Sequence, residues 1–119
     1  MPTFASVIVP TYNEAGSLPQ LVQRLGAALR GREWELVVVD DGSPDGTADL
    51  AARMSPAQPV RVVRRAAKAG LASAVVAGFA DARGDTLVVM DADLSHPPEI
   101  VPQLLAALDS GADLAIGSR

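Results

Sequence analysis

Thr86-Leu87-Val88-Val89-Met90-Asp91-Ala92-Asp93 is the stretch that decides the fold. Thr86 to Met90 is a run of apolar and β-branched residues, and two carboxylates two positions apart close it. A second such run, Trp34-Glu35-Leu36-Val37-Val38-Val39, ends in Asp40-Asp41. Near-continuous Val, Ile and Leu mark strands buried on both faces, as in parallel sheets covered by helices. Open sheets of that kind bind ligands at the carboxyl ends of their strands. Two acidic strand ends in one short chain therefore point to a single cleft for a nucleotide and a metal ion.

Strands and helices alternate outward from these runs. Phe4 to Val9 reads as a first strand that Pro10 stops. Ser17 is predicted to open a helix, with Gln20 completing a capping box and Leu18, Leu21, Val22, Leu25 and Leu29 at helical spacing. After the second strand, Asp41-Gly42-Ser43-Pro44-Asp45-Gly46 is a dense turn signal, and Thr47 to Met54 a short helix capped by Asp45. Pro56 and Pro59 bracket the loop to a third strand, Val60 to Arg64. Leu71 to Ala82 reads as a helix closed by Gly84, and Pro98 and Glu99 suit the first turn of another reaching Leu108. Gly111 stops that helix, and Ala112 to Ile116 is a predicted fifth strand. The chain ends at Gly117-Ser118-Arg119, just after a strand, so the expectation is the first portion of something longer.

At 119 residues the chain is one domain by length, and its 49% apolar content excludes disorder. A net charge of −4 argues against nucleic-acid binding, which needs a basic face. Arg61, Arg64, Arg65 and Lys68 form a loose cluster: either a solvated strand end, or a basic rim near an anionic ligand or membrane surface. There is no cysteine, so disulfide and thiolate chemistry are excluded. No signal peptide is visible, and the longest uncharged apolar stretch, 69–80, falls short of the roughly 20 residues a bilayer needs.

Residues i and i+2 of an extended segment point the same way, so Asp91 and Asp93 can meet one ion. Mg²⁺ or Mn²⁺ suits a pair of carboxylates completed by phosphate oxygens and water. Ser95 follows closely, and His96 is either a third ligand or a helix-start residue beside two prolines. Asp40 and Asp41 are either a strand-terminating turn or acceptors for a base or ribose. Tyr12 offers a ring for stacking a base, and Glu14 either accepts a base amine or simply precedes the helix. Lys68-Ala69-Gly70-Leu71 starts a helix whose N-terminus can hold an anion. It lacks the residues of a Walker loop or a dinucleotide fingerprint, which argues against NTP hydrolysis and NAD binding.

Val9-Pro10-Thr11-Tyr12-Asn13-Glu14, Val39-Asp40-Asp41-Gly42-Ser43-Pro44-Asp45-Gly46-Thr47, the Lys68 segment and Met90-Asp91-Ala92-Asp93-Leu94-Ser95-His96-Pro97 occur in that order. In wording and spacing they resemble the N-terminal part of inverting family 2 glycosyltransferases, and among these the polyprenol-phosphate (dolichol-phosphate) mannose synthases. The resemblance covers essentially the whole chain. It implies a three-layer αβα, mostly parallel, Rossmann-like GT-A fold, with residues 1–119 a single nucleotide-sugar-binding domain.

The same resemblance implies roles. Pro10, Tyr12 and Glu14 would line the guanine and ribose pocket, with Val39 and Asp41 closing it. Asp91, Ala92 and Asp93 would meet the diphosphate, Asp91 and Asp93 through Mg²⁺ or Mn²⁺. Many relatives carry a metal-binding Gln at position 95, for which Ser95 is a shorter and weaker ligand, and Ala72 stands where Gly is common. Arg119 matches the end of a Gly-Ser/Thr-Arg motif, after which the family continues with acceptor-binding and membrane-associating segments. The implied donor is GDP-mannose and the implied acceptor a polyprenol phosphate, at the cytoplasmic face of a membrane. The alternatives are another donor such as UDP-glucose, another acceptor, or a nucleotide-binding module without activity of its own.

Overall fold

A computed structural model describes residues 4–55, 57–66, 70–95, 97–109 and 115–116. Pro56, Lys68, His96, Gly111, positions 112–114 of the expected last strand, and Gly117-Ser118-Arg119 lie outside the described residues. Strands β1 (Ala5–Thr11), β2 (Trp34–Asp40), β3 (Val60–Arg64), β4 (Thr86–Val89) and β5 (Ala115–Ile116) form one sheet in the order β3-β2-β1-β4-β5. Every pairing in it is parallel. The helices are α1 (Leu18–Ala28), α2 (Thr47–Met54), α3 (Leu71–Asp81) and α4 (Val101–Asp109), the last entered through a 3-10 turn, Pro98–Ile100.

Alternation along the strands builds two cores. Val7 and Val9 of β1 and Leu36 and Val38 of β2 face Leu18, Leu21 and Leu25 of α1, Ala51 of α2 and Leu105 of α4. Ile8, Val37 and Val39 face the other way, onto Ala74 of α3. Both faces are covered, which is why these strands carry so few polar residues. At Gly78 an added Cβ would lie 2.4 Å from Ile8 Cγ2, so the missing side chain lets α3 sit close on the sheet. Among the described residues no helix is long and apolar enough to cross a membrane.

Two local expectations are corrected. Pro10 does not stop β1, which continues to Thr11 in register with Asp40. Ile8 O accepts from Met90 N at 3.0 Å and Thr11 O from Asp41 N at 3.1 Å, so even-numbered positions of β1 turn toward β4 and odd ones toward β2. The β1–β4 pairing ends at Ile8 and Val89, so the amide hydrogen that Pro10 lacks had no strand to meet. Ser17 forms no side-chain cap on α1 either; its hydroxyl is used elsewhere.

Candidate functional site

β1 lies between β2 and β4, so the strand order reverses there while all strands stay parallel, and a crevice opens beyond the carboxyl ends at such a switch point. The cleft there measures about 310 Å³. Pro10, Thr11, Tyr12 and Glu14 leaving β1 form one wall, and Asp91, Ala92 and Asp93 leaving β4 another. Asp41 stands at the end of β2, and Gly70, Leu71 and Ala74 bring the start of α3 against the opening.

The structure separates the two neighbouring aspartates. Asp40 is buried and holds its own turn: it accepts from Thr11 Oγ1 at 2.8 Å, Ser43 N at 2.9 Å and Ser43 Oγ at 2.6 Å. Asp41 faces the cleft, paired with Arg65. That settles how two adjacent carboxylates coexist, since one is ringed by donors and the other meets a cation. The N-cap of α2 is Gly46, not Asp45 as expected; from one position earlier Asp45 accepts from Thr47 N at 3.0 Å, and its other oxygen accepts from Ala15 N at 3.1 Å. Asn13 N donates to Ser43 Oγ at 2.9 Å and Glu14 N to Thr47 Oγ1 at 3.0 Å. The loop bearing Tyr12 and Glu14 is thus tied to the loop after β2.

The Asp91–Asp93 loop is fastened to α1 at two points. Ser17 Oγ donates to Ala92 O at 2.7 Å, and Arg24 grips Glu99 beyond the loop through two hydrogen bonds, one of 2.9 Å from Nε. Between them Leu94 sits at φ 64°, left-handed for a non-glycine residue, with its side chain packed on the core. Ser95 N donates to Asp93 Oδ1 at 2.9 Å and fixes that carboxylate's rotamer.

Charge in the cleft is mostly negative. Burial pushes the Glu14 carboxyl above its usual range, and the nearby Asp93, Asp45 and Asp91 carboxylates add to that rise against a hydrogen bond from Ser17. A polyphosphate entering here needs a cation to offset those charges. Among the described residues no three His, Cys, Asp or Glu side chains gather to hold a metal by themselves. Asp91 and Asp93 suit a Mg²⁺ or Mn²⁺ ion that takes its remaining ligands from phosphate and water.

Of the residues named from the sequence, Pro10, Tyr12, Glu14, Asp41, Asp91, Ala92 and Asp93 line this cleft together. Val39 does not; it is fully buried in the core under α3. Ser95 is exposed beside the cleft and reaches Asp93 through its backbone. Thr11 and Ala74 lacked a local signal: one is a strand residue, the other looks like any helical alanine. The basic cluster disperses, with Arg61 on Glu35 and Asp81, Arg64 on Asp49 and Arg65 on Asp41.

The profile described as glycosyl transferase family 2 matches residues 6–119. Over 114 residues the chain is 54% identical to a dolichol-phosphate mannosyltransferase of Pyrococcus furiosus, covering 96% of this chain and 32% of that protein. It is 52% identical over 118 residues to a polyprenol monophosphomannose synthase of Mycolicibacterium smegmatis, covering 95% and 44%. A mannosyltransferase of Pyrobaculum calidifontis, solved in complex with GDP-Man and Mn²⁺, superposes with a TM-score of 0.78 at 30% identity, over 98% of this chain and 34% of that one. The chain thus spans less than half the length of each. On this match, and with a parallel sheet and cleft of the GT-A kind, the chain belongs to glycosyl transferase family 2.

Proposed function

We propose that the chain binds the donor in an enzyme that transfers mannose from GDP-mannose to a polyprenol phosphate with inversion, at the cytoplasmic face of a membrane. The observation that carries this is the meeting of Tyr12, Asp41, Asp91 and Asp93 in one cleft at the switch point. The relatives' names and the GDP-Man and Mn²⁺ held by the similar structure support the choice of donor, acceptor and ion.

Tyr12, 39% exposed, offers its ring to the base, while Glu14 and Asp41 accept from nucleoside N–H and O–H groups. Asp91 and Asp93 would hold Mg²⁺ or Mn²⁺ against the diphosphate. When bound, such an ion offsets the charge that develops on the leaving phosphate oxygens. In the transfer, the C1–O bond to the diphosphate breaks and a C1–O bond to the acceptor phosphate forms on the opposite face, releasing GDP. A phosphate monoester is largely dianionic at pH 7, its second pKa being near 6, so the acceptor attacks without a side chain to take a proton.

The test is transfer of labelled mannose from GDP-mannose to a short polyprenyl phosphate, with Mn²⁺, extracted into organic solvent. Label in the lipid phase, absent with UDP-glucose as donor, supports the reading. Lipid labelled only from UDP-glucose would reassign the donor, and no labelled lipid from either would refute transfer.

A further inference from the structure

The geometry points to Arg65 as a positioning residue for the nucleoside end of the donor. The role rests on the donor-site reading above. Arg65 Nε donates to Asp41 Oδ1 at 2.6 Å and Nη2 to Asp41 Oδ2 at 3.2 Å, a two-point grip on the one carboxylate that β2 presents to the cleft. The third nitrogen, Nη1, donates to Ser73 Oγ at 2.8 Å in the first turn of α3. Leu71 and Ala74, on either side of Ser73, line the same cleft. One guanidinium therefore joins the β2 wall to the α3 wall.

Its own backbone is also fixed. Arg65 N donates to Asp40 O at 2.8 Å, and at Gly42, φ 75°, an added Cβ would meet Ala66 O at 3.0 Å. The chain leaving β3 thus passes hard against the turn that aims Asp41. Both side chains of the pair are largely buried, at 16% and 8% exposure. A carboxylate has about four lone-pair sites, so one gripped at two still accepts ligand donors from the others. The grip fixes the direction in which those remaining lone pairs point. Lysine, a compact point charge, cannot hold both oxygens and Ser73 at once.

The experiment is calorimetric titration of the purified full chain and its Arg65→Met and Arg65→Lys variants with GDP, UDP and inorganic pyrophosphate, each with Mn²⁺. Pyrophosphate reads the Asp91–Asp93 end alone, whereas the nucleotides read both ends. Loss of a hydrogen bond to a charged group should weaken nucleotide binding about 10- to 100-fold in Arg65→Met. Arg65→Lys should fall between it and the parent, with pyrophosphate affinity held within about twofold in both. In Arg65→Met/Asp41→Asn the loss should not exceed the larger single loss, because both changes remove one contact. If Arg65→Met does not fold, Arg65→Lys decides. Parent-like nucleotide binding by Arg65→Lys and Arg65→Met, or equal loss of nucleotide and pyrophosphate, overturns the positioning role while leaving the donor site standing. Failure of the parent to bind either nucleotide overturns the donor site and this role together.

Discussion

Ser17 Oγ donates to the carbonyl oxygen of Ala92 at 2.7 Å, so the residue that opens α1 holds the middle of the Asp91–Asp93 loop from 75 positions away. A hydroxyl read locally as a helix cap serves instead to fix the acidic loop. Ser17→Ala should cost about 1 kcal/mol of stability, the usual net worth of one hydrogen bond. Metal-dependent nucleotide affinity should fall as well, on the order of fivefold, because the freed loop must be re-ordered on binding. Thermal melts beside calorimetry check both; unchanged affinity with lowered stability would limit Ser17 to the fold.

Glu35 makes the opposite kind of prediction, about stability alone. It is buried where β2 begins, away from the cleft, and accepts from Ser6 Oγ at 2.6 Å and Arg83 N at 2.7 Å, with Arg61 at 3.4 Å. Burial raises its carboxyl pKa, but the hydrogen bonds from Arg83 and Ser6 and the charge of Arg61 outweigh that and hold it below the usual 4.5. A carboxyl lowered on folding stabilises fully above its unfolded value and loses that contribution as pH falls through the folded one. Glu35→Gln should therefore be less stable at pH 7 by about 1–3 kcal/mol, with the gap to the parent closing below pH 4.5. Melting curves from pH 7 to 3 would show it, and a gap that is constant with pH would count against the charge.

Gly78→Ala puts a methyl group 2.4 Å from Ile8 Cγ2 and 3.1 Å from Val39 Cγ2. Overpacking of this sort costs typically about 1–3 kcal/mol, which here exceeds the helix propensity gained by replacing glycine. A stabilised Gly78→Ala would mean that α3 can move outward at little cost. Urea denaturation midpoints decide this.

Asp40 and Asp41 should part company under substitution. Asp40→Asn leaves Ser43 N, Ser43 Oγ and Thr11 Oγ1 sharing a weaker acceptor and should lower stability by about 1–2 kcal/mol. Asp41→Asn should mainly reduce nucleotide affinity, by about tenfold. Matched melts and titrations of the two variants test the division; equal profiles would erase it.

Much of this was legible in the sequence because it is local. β2, α2 and β3 begin and end where the apolar runs and turn residues place them, and the acidic strand ends lie at the cleft. What was not legible depends on partners far along the chain. Pro10 reads as a stop unless one knows that β4 has already ended beside it. Asp40 and Asp41 look alike until Thr11 and Arg65 claim one each. The cluster at Arg61, Arg64 and Arg65 reads as a basic rim, yet its members meet Glu35 on β2, Asp49 on α2 and Asp41 just after β2.

The proposed donor site rests on Asp91 and Asp93 binding the diphosphate through a divalent ion. Calorimetric titration of GDP-mannose with and without Mn²⁺, on the parent and on Asp93→Ala, tests it most directly. Binding that needs Mn²⁺ and is lost in the variant, which keeps its melting temperature because Asp93 is exposed, is the expected result. Binding that is equally tight without the ion, or unchanged in Asp93→Ala, would rule out a metal-bridged diphosphate at these two carboxylates.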